Sequence, residues 1–169
     1  DADIDDFETR FLREARVQAR LAHPGVVPVY DVGRDDNGRV YFTMKRVEGV
    51  TMEDVILSLR NGQPLRAGHH YDQRQLLTSF ARACLTVDYA HSRGVLHRDL
   101  KPANLMLGAY GEVYVLDWGL AKIQDIADDL AGAVGEITIT PARRERETEV
   151  GVAMGTPAYM APEQAMARP

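Results

Sequence analysis

One cysteine, Cys84, stands in the whole chain of 169 residues. A single thiol excludes an internal disulfide framework and any zinc site built from several cysteines. Long apolar runs are missing too, and none comes near the roughly 20 residues of a membrane-spanning helix. Basic charge is short: 20 Lys and Arg face 25 Asp and Glu, a formal net charge of −5. That balance argues against a general nucleic-acid binder, whose footprint is a basic face or stripe. The opening DADIDDFETR is acidic and polar, unlike a secretory leader. The first residue is not Met and the last two are Arg168-Pro169, so both ends read as cut. No internal repeat is present. The remaining composition, 45% apolar and 27% charged, is that of a globular chain with its own core. A reducing, cytoplasmic setting fits, with any membrane tether lying outside this segment.

Periodicity divides the chain in two. Residues 5–22 carry Phe7, Phe11, Leu12, Ala15, Ala19 and Ala22 at helical spacing, with Asp5 and Asp6 at the positive helix start. His23-Pro24-Gly25 ends that helix. Two strands are expected at Val26–Val32 and Val40–Met44, joined by the hairpin turn Asp35-Asp36-Asn37-Gly38. Residues 45–50 form a polar connector. Thr51, with Asp54 three residues on, predicts a capped helix over 51–60. After a loop to His70, a longer helix is expected from Asp72 to Ser92. Its broad apolar face is Leu76, Leu77, Phe80, Cys84, Leu85, Val87 and Tyr89, which places Cys84 in the interior. His69-His70 has no further ligands nearby and reads as a solvated loop pair. Short strands follow at Leu105–Leu107 and Val113–Leu116. Residues 123–150 lack periodicity and read as a long loop. The fold class is therefore α+β: a small sheet lobe with one helix, joined to a helical lobe, with a cleft between them.

Between the long helix and those short strands lies HRDLKPAN, residues 97–104. Phosphoryl transfer needs an in-line nucleophile, metal ions on the phosphates, and positive charge where negative charge gathers. Asp99 can accept the proton of an attacking hydroxyl. Lys101 stands close enough to touch the transferring phosphate. Asn104 offers an amide oxygen to a hard cation such as Mg²⁺. Thirteen residues later, in LDWG, comes Asp117. The intervening hairpin can return it beside Asn104, giving the one or two protein oxygens that Mg²⁺ commonly takes.

These residues resemble a known family. HRDLKPAN is similar to the catalytic loop of eukaryotic-type protein kinases, DWG at 117–119 to their DFG, and Ala161-Pro162-Glu163 to their APE. Glu14 in FLREAR resembles the helix-C glutamate. YFTMKRVEG, 41–49, resembles the fifth strand and hinge, and GTPAYMAPEQ, 155–164, the end of the activation segment. The wording is most similar to bacterial serine/threonine kinases.

The resemblance implies a truncated two-lobe kinase fold: a partial small lobe over 1–47, and a partial large lobe over 48–169 with an activation segment at 117–163. It implies ATP and Mg²⁺ as cofactors, with Asp99 as catalytic base and Lys101 on the γ-phosphate. Asn104 and Asp117 would hold the metal. Met44 would be the gatekeeper behind the adenine, the Lys45 and Val47 backbones would bond the adenine edge, and Met106 would floor the pocket. Glu14 would be the helix-C partner of an ion pair. Arg98 and Lys122 would face an activation-loop phosphate, for which Thr148 is preferred over Thr138 and Thr140. Thr156 would bond Asp99 and Lys101 in the substrate site. The implied partners are a protein carrying Ser or Thr, and a second kinase copy for trans-autophosphorylation.

The departures are as specific as the matches. Trp118 replaces the usual Phe. No Gly-rich loop precedes Glu14, and no strand lysine is present to pair with it; Lys45 lies in the hinge. Glu163 lacks the arginine that answers it in the family, and a buried carboxylate without its partner costs roughly 3–5 kcal/mol. The chain alone is expected to be inactive and poorly stable. Two other readings remain: a pseudokinase or scaffold, which upstream sequence would distinguish, and a small-molecule kinase of related fold.

Overall fold

A computed structural model describes residues 2–65, 69–123 and 155–166. Helix α1 spans Ala2–Arg20, three residues earlier at its start than the apolar spacing suggests. It buries Ala15 and Val17, and Leu21 just beyond its end is buried too. A tight turn follows, in which the Gly25 N–H donates to His23 Nδ1 at 3.0 Å and the Val26 N–H to the His23 carbonyl at 2.9 Å.

Strands β1 (Val29–Arg34) and β2 (Val40–Met44) pair antiparallel. The Asp35 carboxylate organises their turn, accepting the N–H groups of Asn37 and Arg39 at 2.9 Å each. Gly38 supplies the left-handed backbone there, with φ 78°. The first strand was expected to begin at Val26. Val26 and Val27 are instead fully buried, and Val26 bridges Val115 in parallel outside the hairpin. Their apolar character serves the interior, and Pro28, which has no N–H to donate, separates them from the ladder.

Strand β3 (Val50–Thr51) leads directly into α2 (Met52–Asn61). Thr51 and Asp54 form the reciprocal capping box expected of them: Thr51 Oγ1 accepts the Asp54 N–H at 3.1 Å, and Asp54 Oδ2 accepts the Thr51 N–H at 3.0 Å. Helix α3 (Gln73–Ser92) is capped the same way by Asp72 and Gln75. Its buried face differs from the one its apolar residues suggest. Ser79, Ala83, Thr86 and Ala90 are buried, while Leu77, Phe80 and Leu85 are exposed. Cys84 is likewise exposed rather than interior. Small side chains at this spacing let the helix axis approach the strands beneath it, so close packing rather than hydrophobicity selects that face.

Strands β5 (Leu105–Leu107) and β6 (Val113–Val115) form the expected hairpin, and β3 joins its outer edge in the order β3-β5-β6. A further ladder pairs β4 (Val95–Leu96) with β7 (Lys122–Ile123). A short helix α4 covers Pro162–Ala165. One apolar cluster joins Val17 of α1 and the following Leu21 to Val55, Ala83, Leu107, Val115 and Trp118. The result is a mixed α and β structure. No helix among the described residues is long and apolar enough to cross a membrane.

Candidate active site

Strand β4 delivers the chain into the loop that carries His97, Arg98 and Asp99. His97 is buried, its Nε2 2.9 Å from the Leu116 carbonyl and its Nδ1 accepting the Asp99 N–H at 3.3 Å. That pairing places the ring proton on Nε2. Burial is the main reason its pKa is lowered, against the opposing pull of the Leu116 carbonyl and of Asp117 and Asp99. A neutral imidazole thus links the catalytic loop to the strand end that carries Asp117. Its ring packs against Trp118 with centroids 4.7 Å apart. Trp118 is buried, and its indole N–H donates to the Val115 carbonyl at 3.2 Å.

Asp99 is buried at the centre of a convergent set of donors. Oδ1 accepts the Thr156 N–H at 2.9 Å and the Thr156 hydroxyl at 2.7 Å. Oδ2 accepts Lys101 Nζ at 2.7 Å. Burial alone would raise this carboxyl's pKa; hydrogen bonds from Lys101 and Thr156, and the Lys101 charge, outweigh it and hold the group below the usual aspartate value. Lys101 also donates to Thr156 Oγ1 at 2.8 Å. Its own pKa is raised, first by the bond to Asp99, against its desolvation. Asp99, Lys101 and Thr156 therefore stand together.

Asn104 closes the loop. Its Nδ2 donates to the Asp99 backbone carbonyl at 2.9 Å and to Asp99 Oδ2 at 3.3 Å. An amide whose nitrogen is committed this way keeps its oxygen for a cation. The Leu116 N–H donates to the Asn104 carbonyl at 2.8 Å, which registers Asp117 against the catalytic loop. Asp117 is exposed and takes a left-handed φ of 60°; Arg98 has φ 67°. These are the non-glycine residues with positive φ among the described residues, a placement typical of functional sites. The sequence gives no sign of either conformation.

Glu14 lies on the other side of Gly119. A side chain added at Gly119 would sit 3.3 Å from Asp117 Oδ1 and 3.5 Å from Glu14 Oε2. Burial first, and the Asp117 charge second, raise the Glu14 pKa. Among the described residues no group of three or more His, Cys, Asp and Glu could hold a metal. The Asn104 amide oxygen and the Asp117 carboxylate nevertheless suit Mg²⁺, which completes its shell with phosphate and water.

The hinge departs in one detail from what the resemblance implies. The Lys45 N–H already donates to the Pro28 carbonyl at 3.0 Å, so only its carbonyl is left as a candidate for an adenine edge. Met44 is half exposed, and Val47 and Met106 are half-buried. Met106 pairs with Tyr114 across β5–β6. The Tyr114 hydroxyl lies 2.6 Å from Lys45 Nζ, which also sits 5.0 Å from the centre of the Tyr114 ring. This contact ties the segment after β2 to strand β6. Tyr114 was not singled out from sequence because nothing near it in the chain points to a partner 69 residues away.

In the β4–β7 ladder Lys122 pairs with Leu96, two residues before Arg98. The Arg98 pKa is lowered by burial first and by Arg13 second, which adds a cation of α1 that sequence reasoning missed. Thr138, Thr140 and Thr148 lie outside the described residues. Glu163, at the start of α4, is exposed, so the cost of a buried unpaired carboxylate does not arise there.

A loop that clusters Asp, Lys and Asn beside a returning Asp, under a hinge and a helix glutamate, is the arrangement of a phosphoryl-transfer domain. The protein kinase domain family matches residues 1–168, and the chain belongs to it. It is 39% identical over 170 residues to the serine/threonine-protein kinase PknD of Chlamydia caviae, covering 99% of this chain and 18% of that protein. It is 42% identical over 169 residues to the PknD of Protochlamydia amoebophila, covering 95% of this chain and 16% of that protein. With the PknD of Chlamydia pneumoniae it shares 40% identity over 162 residues, 95% of this chain and 17% of that protein. The chain spans less than a fifth of the length of these relatives.

Proposed function

We propose that the protein carrying this chain is a serine/threonine kinase that transfers the γ-phosphate of ATP to a protein hydroxyl. The observation that carries the reading is Asp99, held by Lys101 and Thr156 with Asn104 and Asp117 alongside. Asp99 accepts the proton of the incoming hydroxyl. Its depressed pKa keeps it ionised, and the two Thr156 bonds fix which oxygen faces the acceptor. Lys101 brings positive charge to the phosphate side. Asn104 and Asp117 would hold Mg²⁺, which when bound neutralises phosphate charge. Met44, the Lys45 carbonyl, Val47 and Met106 would line the nucleotide pocket. Glu14 would accept a strand lysine.

Arg98 and Lys122, joined by Arg13, would receive a phosphate on the activation segment, with Thr148 as its carrier. A phosphothreonine brings about −1.5 to −2 charges, enough to order a loop on such a pocket. Phosphorylation in trans by a second copy would supply it, in the cytoplasm. The division near residues 47/48 is supported by the β1–β2 hairpin with α1 on one side and β3, which begins at Val50, on the other.

The test is ATP-dependent phosphorylation of a Ser/Thr protein acceptor by the full chain that carries this sequence. Asp99→Asn should lower kcat by about 10²–10⁴-fold, the range for losing a general base. An Asp99→Asn protein as fast as the parent would remove Asp99 from this role.

A further inference from the structure

Gln164 is half-buried in the short helix α4, and its side chain spans two segments. Oε1 accepts the Ala161 N–H at 3.4 Å, which caps α4. Nε2 donates to the Arg98 carbonyl, 66 residues away in the chain. That carbonyl belongs to the peptide group that joins Arg98 to Asp99. The N–H of the same peptide donates to His97 Nδ1 at 3.3 Å. The peptide unit just before the proposed base is therefore held at both polar ends, by an amide on one side and an imidazole on the other.

This unit needs holding. Arg98 has φ 67°, a conformation that a non-glycine residue keeps only where its surroundings over-determine it. Rotation toward an ordinary φ would swing everything that follows, the Asp99 carboxylate included. Thr156 grips that carboxylate directly, through its N–H and its hydroxyl on Oδ1. Gln164 grips the backbone behind it. Gly155 leaves the room for this bond. It has φ 128°, and a Cβ there would stand 3.0 Å from the Arg98 carbonyl oxygen and 3.2 Å from Gln164 Nε2. A side chain at 155 would crowd both atoms of the bond.

The geometry points to Gln164 as a positioning residue: its amide N–H holds the Arg98–Asp99 peptide in the orientation that aims Asp99 at the acceptor hydroxyl. It acts through Asp99, not on the reacting atoms. The inference rests on the kinase reading for its consequence, but the clamp itself does not depend on it. Met44, Val47 and Met106 would reach the nucleotide from other segments. Loss of the donor should therefore slow turnover and spare ATP binding.

Gln164→Glu tests this in the full chain that carries the sequence, with ATP and a Ser/Thr peptide. It keeps the acceptor for the Ala161 N–H and removes only the donor, turning a carboxylate oxygen toward the Arg98 carbonyl. Turnover should fall by about ten-fold or more, with KM for ATP within about two-fold. Gln164→Lys restores a donor and gives up the acceptor. It should be at least about five-fold faster than Gln164→Glu; if capping α4 were the whole role, that order would reverse. Hydrogen exchange over residues 97–104, followed by mass spectrometry without nucleotide, reads the clamp independently of catalysis. It should quicken by about ten-fold in Gln164→Glu, with exchange in α3 unchanged. If α3 also exchanges faster, Gln164→Met, close in volume and uncharged, takes its place under the same criteria. An unchanged kcat, a KM for ATP that rises as far as kcat falls, or Gln164→Lys slower than Gln164→Glu would overturn the proposal. Unchanged exchange over 97–104, in a protein whose parent phosphorylates its acceptor, sinks the clamp alone. Faster exchange in the variant of a parent with no phosphotransfer sinks the kinase reading alone.

Discussion

Gly25 offers the sharpest test of how the small-lobe helix is seated on the rest of the chain. A methyl group added there would lie 2.0 Å from Thr86 Oγ1, 2.9 Å from Thr86 Cγ2 and 3.0 Å from Thr86 Cβ. Thr86 is buried in α3, and its hydroxyl donates to the Arg82 carbonyl at 3.1 Å. It therefore cannot swing into solvent, and the backbone must move. Overpacking of this kind costs about 1–3 kcal/mol. At a urea dependence of about 2 kcal/mol per molar, Gly25→Ala should lower the unfolding midpoint by about 0.5–1.5 M. Thr86→Ala removes both of the nearest atoms and leaves only Cβ. The double variant should then recover part of the loss, with a coupling of about 0.5–3 kcal/mol. Function should follow, because the Gly25 carbonyl accepts the Val115 N–H at 2.8 Å and β6 leads to Asp117. Phosphotransfer should fall in Gly25→Ala and return in the double variant. Strict additivity of the two substitutions in urea would refute the reasoning.

Thr156→Val deletes the hydroxyl donor to Asp99 and leaves the backbone N–H. The Asp99 pKa is depressed in the folded state, so its stabilising contribution is present above the ordinary value of 3.8 and lost as pH falls through the lower one. The variant should therefore move the acid limb of the kcat/KM profile upward; a limb that stays put or moves down contradicts the assignment. Tyr114→Phe removes the acceptor for Lys45 and should raise KM for ATP by about three-fold or more, with kcat within about two-fold. Equal losses in both constants would show that the contact does not position the hinge. Trp118→Phe leaves a void and removes the donor to the Val115 carbonyl. It should destabilise by about 1–3 kcal/mol on urea titration. Replacing Thr148 by Ala should remove the activating phosphate, read as loss of that phosphopeptide in mass spectra and of activity.

Much of this architecture is written in short-range signals. The capping box of α2 needs only Thr51 and Asp54, the hairpin only Asp35 to Gly38, and the catalytic loop is contiguous. What sequence conceals is long-range or subtractive. The β4–β7 ladder joins two-residue strands too short to carry a period. Helix α3 buries its small residues, which a search for apolar side chains passes over. The hinge contact depends on Lys45 and Tyr114 meeting across the fold. Thr156 reaches Asp99 across 57 residues; only likeness to the family's activation segment pointed to it.

The left-handed backbone at Arg98 and Asp117 has a bearing on engineering. Glycine would relax both positions, since a side chain there opposes the conformation by about 1–3 kcal/mol. Selection for thermal robustness alone would therefore favour replacing these two residues, one a proposed magnesium ligand and the other a cation beside the base. Hardier descendants from such a screen would tend to be dead ones, unless each round also scored turnover.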